Sequence, residues 1–198
     1  MGQEAPQVTL TERFREALGY AFELHRAQRR KGSGAPYVAH LLGVCSLVLE
    51  HGGNEDEAIA ALLHDAIEDQ GGDVVRRELR SRFGHTVTAI VEGCSDTDVQ
   101  PKPPWRERKE AYLAHLPHAS PSVLLVSAAD KLNNLESILR DYRELGEALW
   151  SRFRGGRAGT LWYYRSVAAV LRESGPARLS HEIQRRVGKL EALLDPTR

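Results

Sequence analysis

Ten residues constrain this chain more than any others: Ala60-Ala61-Leu62-Leu63-His64-Asp65-Ala66-Ile67-Glu68-Asp69. An apolar run gives way, within six residues, to four ionisable groups. A helix that is apolar nearly all round is normally buried. Charges at the end of such a helix need a metal, a partner charge or a lined cavity. Residues four apart share a helix face, so His64 is expected to stack over Glu68 and Asp65 over Asp69, in one compact patch. Asn54, with Glu57 three residues on, is the expected start of that helix through a capping box. The alternative is a solvated helix end with ordinary surface acids, and the apolar run before it argues against that.

Helical periodicity dominates the rest of the chain, and alternating strand patterns are scarce. Thr9 with Glu12 is expected to open a first helix through Phe14, Leu18, Ala21, Phe22 and His25. A basic, glycine-containing turn from Arg29 to Pro36 follows. A second helix carries His40, Val44, Leu47 and Val48 and stops at Gly52-Gly53. Asp73 is expected to cap a helix that Gly84 ends, and a further helix covers Val87 to Val91. The segment from Asp96 to Pro104 holds three prolines and reads as a loop. Helices are then expected from Trp105 to Leu116, from Val123 to Leu139 with Asp130 at its centre, and from Leu161 to Leu171. A last amphipathic helix carries Ile183, Val187, Leu190 and Leu194. The expected fold class is all-α, a compact multi-helix bundle. It forms a single domain over 1–198, with a core at about 10–172 and a C-terminal helix at about 179–194.

Composition narrows the function classes. The 198 residues carry 27 basic and 27 acidic side chains, for a formal net charge of zero. That balance argues against a general nucleic-acid or membrane-surface binder. Cys45 and Cys94 have neither metal-ligand spacing nor a disulfide-rich context and read as small buried hydrophobes. No apolar run reaches membrane-spanning length, and the N-terminus lacks a basic-then-apolar leader. The expected compartment is the cytoplasm.

The charge at His64-Asp65 requires more ligands. His40 lies near the start of its helix, and Asp130 interrupts the apolar run from Val123 to Ala129. A lone Asp in a buried run is expensive unless something compensates it. One divalent metal compensates Asp130 and the His64-Asp65 pair together. Two His and two Asp suit Mn²⁺, Fe²⁺, Zn²⁺ or a related ion such as Co²⁺ or Ni²⁺, with water in the open positions. With no thiolate available, a catalytic site is favoured over a structural one. His25 is expected in the core or behind the ligands. His51, His85, His115, His118 and His181 are expected at surfaces or helix caps.

Taken together these residues resemble the HD superfamily of metal-dependent phosphohydrolases. The chain is most similar to the hydrolase domain of the RelA/SpoT enzymes and to stand-alone small alarmone hydrolases. The likeness runs through His25–Lys31, Gly34–His40, Ala61–Asp69, Phe83-Gly84 and Ala129–Leu135. It implies an HD-domain bundle in which His40, His64, Asp65 and Asp130 hold the metal, with Mn²⁺ the family's usual ion. It implies Glu68 and Asp69 as the catalytic acidic pair. Lys31, Asn134 and Tyr163 are implied at substrate-facing positions, and Ser33 is expected with Lys31. The implied reaction removes pyrophosphate from the 3′ side of guanosine tetra- or pentaphosphate, by a hydrolase-only protein.

Four positions depart from the family pattern: Ala35 where an acid is common, Leu41 for proline, Ser127 for lysine and Glu136 for arginine. The cluster Arg152, Arg154 and Arg157, with its glycines, is a candidate replacement for the two lost cations. Three readings stay open at this point: an alarmone hydrolase, a hydrolase of another nucleotide or phosphorylated cofactor, and a non-catalytic ligand-binding module. The expected partner is a small nucleotide, with no nucleic acid and no membrane, and with a homodimer as an open assembly.

Overall fold

A computed structural model of the chain describes residues 8–31, 33–97, 99 and 101–195. Among these, nine α-helices follow one another: α1 (Glu12–His25), α2 (Val38–Glu50), α3 (Glu55–Leu63), α4 (Ala66–Gln70), α5 (Gly72–Cys94), α6 (Trp105–His115), α7 (Pro121–Leu145), α8 (Gly156–Ser174) and α9 (Ala177–Leu194). Short 3-10 turns at Leu116–His118 and Gly146–Arg152 flank α7. The all-α expectation is met. No helix among the described residues is long and apolar enough to cross a membrane.

Helices α3 and α7 form the interior. In α3 every residue from Ala58 to Leu63 is buried, enclosed by α1, α2, α5 and α7. Its start is fixed as expected: Asn54 Oδ1 accepts from Glu57 N at 3.0 Å, and Glu57 Oε2 accepts from Asn54 N at 2.8 Å. Helix α7 is buried continuously from Val123 to Leu132 and packs on α2, α9 and α5. Ser120 caps it, and Pro121 occupies the first turn, where no amide is missed. These two buried helices bring His64-Asp65 and Asp130 together.

Several boundaries differ from expectation. Thr11, not Thr9, caps α1. Gly71, not Asp73, precedes α5. The two helices expected around Gly84 run on as one, kinked where Gly84 takes φ 85° and ψ 179°, a region essentially reserved for glycine. The stretch from Ala60 to Asp69 is not one helix. Helix α3 ends at Leu63 and α4 begins at Ala66, with His64 at φ −60°, ψ −28° and Asp65 at φ −97°, ψ 0° between them. Asp69 N still donates to Asp65 O at 3.0 Å, so the backbone register persists. The side chains part company, because Asp65 meets His64 and Tyr37 while Asp69 meets Gln28 and Lys102.

Candidate metal centre and active-site cavity

Three elements converge on one point. His40 comes from the first turn of α2, His64 and Asp65 from the break after α3, and Asp130 from the middle of α7. His64 Nε2 lies 3.0 Å from Asp65 Oδ2 and 3.6 Å from Asp130 Oδ1. His40 Nε2 lies 3.7 Å and 3.3 Å from the same two oxygens. The donor atoms of His40, His64 and Asp65 all fall within 4.8 Å of one another.

The surroundings orient these groups. His64 Nδ1 donates to the Ala61 carbonyl at 2.8 Å, and His40 Nδ1 donates to Asn133 Oδ1 at 2.7 Å. Each ring therefore turns its Nε2 inward. The Tyr37 hydroxyl donates to Asp65 Oδ2 at 2.5 Å. Asn134 Nδ2 donates to Asp130 Oδ1 at 2.5 Å, and Asn134 Oδ1 accepts from Arg30 Nη2 at 2.8 Å. The buried Lys131 ammonium pairs with Asp130 Oδ2 and sits 5.0 Å from the Tyr112 ring centroid.

Electrostatics follows from this packing. Burial works against charge on His64, Asp65 and Asp130. For His64 it is overcome by Asp65 and Asp130, which hold the imidazole well above its ordinary value. For Asp130 it is overcome by Lys131, His40 and His64, which hold the carboxyl well below its own. Asp65 is lowered by the two histidines against the same burial. A divalent ion fits these residues. His64 Nε2 is fully buried and has no hydrogen-bond partner of acceptable geometry, although a carboxylate oxygen is 3.0 Å away. An unpartnered buried nitrogen facing carboxylates is what a cation between them would satisfy.

A cavity of about 690 Å³ opens beside this cluster. Glu68 and Asp69 line it, as do Lys31, Ser33, Asn134 and Tyr163. The Tyr163 hydroxyl is buried without a partner. Glu68 is pushed up by burial and by the Asp96 carboxylate, and pulled back by Lys102. Arg157 is not brought to this wall. It lies in the first turn of α8, where Nη1 reaches Glu147 at 3.1 Å and Nη2 donates to the Leu194 carbonyl at 2.6 Å. Arg152 and Arg154, one turn earlier, do line the cavity.

Several wall residues had no signal of their own in the sequence: Arg30, Tyr37, Asp96, Lys102, Arg108, Lys109 and Lys131. The two family departures in charge are explained by packing. Ser127 is buried, accepts from the Tyr112 hydroxyl at 2.8 Å and faces Cys94 Sγ at 3.7 Å. Glu136 is paired with Arg186 of α9. Neither is a cavity-lining residue. Among the described residues the wall nonetheless carries ten Lys and Arg against six Asp and Glu, in a chain of zero formal net charge.

With this geometry in view, the comparisons with known proteins are decisive for the family. A family model described as an HD domain matches residues 17–161. The chain belongs to the HD-domain family. Among its relatives, the human guanosine-3′,5′-bis(diphosphate) 3′-pyrophosphohydrolase MESH1 is 38% identical over 157 residues, covering 78% of this chain and 79% of the relative. The Xenopus tropicalis protein of the same name is 41% identical over 128 residues, covering 63% and 69%. A solved structure described as a metazoan ortholog of SpoT that hydrolyzes ppGpp superposes with a TM-score of 0.76. It is 26% identical and covers 94% of this chain and 99% of that one. Membership of the HD family implies a divalent metal, and this chain carries a His/Asp cluster of a kind that could hold one.

Proposed function

We propose that this HD-domain protein is a metal-dependent phosphohydrolase that removes pyrophosphate from the 3′ side of guanosine-3′,5′-bis(diphosphate), with Mn²⁺ as its ion. One observation carries the reading. His40, Asp65 and Asp130 of the cluster line one cavity with the Glu68-Asp69 pair, and that cavity is rich in cations although the chain as a whole is neutral. Such a wall suits a nucleotide with several phosphates. The curated relatives whose names state this reaction support the same choice.

His40, His64, Asp65 and Asp130 hold the ion. When bound, it supplies a Lewis acid for a phosphoryl oxygen and lowers the pKa of a neighbouring water. Glu68 and Asp69 orient the attacking water and take its proton. Because Glu68 faces the Asp96 charge and is held by Lys102, that proton belongs to a group of charges rather than to one carboxylate. Lys31, Ser33, Asn134 and Tyr163 contact the nucleotide from the wall. The cations at Arg30, Arg152 and Arg154 make up the charge missing at Ser127 and Glu136. A cytoplasmic location and a homodimeric assembly belong to the same proposal, open to fractionation and sedimentation.

The test is incubation of the Mn²⁺-supplemented protein with guanosine-3′,5′-bis(diphosphate) and identification of the products. Release of inorganic pyrophosphate with guanosine-5′-diphosphate supports the reading. Intact substrate, with orthophosphate released from another nucleotide in the same screen, overturns it in favour of a different phosphorylated substrate.

A further inference from the structure

The connection between α5 and α6 is built to deliver one lysine. Arg108, buried on α6, ties down both of its ends: Nη1 donates to Asp96 Oδ1 at 2.5 Å and Nε donates to the Pro103 carbonyl at 3.2 Å. The other Asp96 oxygen accepts from Lys109 at 2.6 Å, so this almost fully buried carboxylate is clamped by two cations. Lys102 lies between the tied ends, with proline on either side at 101 and 103. Fixed proline φ angles remove backbone freedom that ordering the lysine would otherwise cost. Its ammonium donates to Glu68 Oε1 at 2.9 Å and reaches Asp69 Oδ1 at 3.4 Å.

An exposed lysine-carboxylate pair contributes little and signals little. This one differs in place. It spans the two carboxylates assigned to the water, it is three-quarters buried, and Arg108 at 3.7 Å backs it on the Glu68 side. An ammonium that kept both carboxylates engaged would compete with the water for Glu68 Oε1 and Asp69 Oδ1 and weaken both carboxylates as bases. An arriving pyrophosphate offers it a denser negative charge beside the same spot.

We propose that Lys102 is a further catalytic residue, which spans Glu68 and Asp69 in the free enzyme and passes to the pyrophosphate of the substrate as that group binds and leaves. Asp96 and Arg108 are its positioning residues. This rests on the function proposed above, because it takes the Glu68-Asp69 pair as the water-handling group.

The experiment compares the wild-type protein with K102M, K102R and K189M, the last a control on an exposed face of α9. Thermal melting establishes that each is folded. Steady-state kinetics on guanosine-3′,5′-bis(diphosphate) is combined with inhibition by inorganic pyrophosphate and with calorimetric titration of pyrophosphate. K102M is expected to lose about 100-fold in kcat and to bind pyrophosphate about tenfold more weakly. K102R recovers most of both, and K189M changes neither. D96N, which loosens the clamp, should lower kcat in the wild-type background and add little in K102M, as expected if it acts through Lys102. A K102M protein within twofold of wild type in both readouts overturns the proposal. So does lost turnover with unchanged pyrophosphate binding, which would confine Lys102 to its carboxylates. If the wild-type protein releases no pyrophosphate, the proposed function fails, and the titration still reads Lys102 by itself.

Discussion

His40 donates its Nδ1 proton to Asn133 across the α2–α7 interface at 2.7 Å, and the space for that contact exists because residue 43 is glycine. A Cβ at Gly43 would come within 2.4 Å of Asn133 Nδ2, far inside ordinary contact. The acceptor on Nδ1 fixes the tautomer that points Nε2 at Asp65 and Asp130. Partners of this kind are typically worth 10–100-fold in metal affinity, so Asn133→Leu is expected to weaken Mn²⁺ binding by about that factor. Gly43→Ala should have a similar effect by pushing Asn133 off the ring. Calorimetric Mn²⁺ titration of the folded variants checks both, and unchanged affinity in Asn133→Leu would falsify the orienting role.

The two acidic pairs should separate by mutation. Asp65→Ala removes an oxygen shared by both histidines and is expected to abolish metal binding and turnover together. Glu68→Gln lies outside that cluster and should keep the metal while losing about 100-fold or more in rate. Metal content by elemental analysis, read beside kcat, distinguishes them. Loss of metal in Glu68→Gln would move that residue into the ligand set.

The helices were readable because their cause is local. Asn54 and Glu57 close a capping box wherever they occur at that spacing, and the apolar run into His64 had to be buried. His40 and Asp130 were readable for a related reason, since an ionisable group in an apolar run demands a partner. The break at Asp65 was hidden, because it amounts to one ψ angle near zero in a stretch that otherwise keeps helical dihedrals. Arg157 and Arg154 look alike in sequence. They are separated by where α8 begins, and the first turn of that helix aims Arg157 at Glu147 and the end of α9. Lys102, Arg108 and Lys109 were hidden for a third reason. They lie in a charged stretch, Arg106-Glu107-Arg108-Lys109-Glu110 and its approach, which has the composition of a solvated face. Only the packing of α6 against α8 decides which of its cations meet the cavity. Asn133 and Asn134 make the same point, because neighbours about 100° apart around α7 bond to different members of the cluster, His40 and Asp130.

Protons and the proposed ion compete for His64. In the metal-free protein the imidazolium is favoured by Asp65 and Asp130, and its folded pKa lies well above the ordinary value. A raised folded pKa gives stability that is complete below the unfolded value of about 6.5 and is lost as pH rises through the folded one. The metal-free protein should therefore melt at lower temperature at pH 9 than at pH 6, and saturating Mn²⁺ should raise the melting temperature more at pH 9. The alkaline loss should shrink in His64→Asn. Thermal scans at the two pH values check this, and an equal metal effect at both would count against the linkage.

Asp96 sets the acid side of the rate profile. Burial and the Asp96 charge raise the Glu68 carboxyl, and Lys102 opposes them. A base must be ionised to accept the proton, so the wild-type rate is expected to fall on the acid side above the ordinary glutamate value of about 4.3. Asp96→Asn removes a raising charge and should move that limb to lower pH, even as its loosened clamp lowers the plateau. A kcat/KM profile against pH, which reports the free enzyme, checks the direction for the two proteins. An upward shift would mean that the loss of Lys102 from Glu68 outweighs the loss of the Asp96 charge.

Trp105 anchors α6, and with it Lys102 and Arg108, to a glycine surface on the α8 side. A Cβ at Gly155 would meet the Trp105 ring at 2.7 Å, and one at Gly159 at 3.1 Å. The ring also stands edge-on to Trp162 and Tyr163, with centroids 6.2 Å and 6.4 Å away. Gly155 sits at φ −80°, where alanine is unstrained, so Gly155→Ala tests the contact and not the backbone. The indole must give way, and the start of α6 must move with it. Arg108 then leaves either Asp96 or the Pro103 carbonyl, and Lys102 loses its place against Glu68. The expected result is a folded protein with unchanged Mn²⁺ affinity, because no ligand is on α6, and with a several-fold lower kcat/KM. Pairing Gly155→Ala with Trp105→Phe, which frees the space, should restore much of the loss. Failure of that rescue would show that α6 is held by something other than this contact.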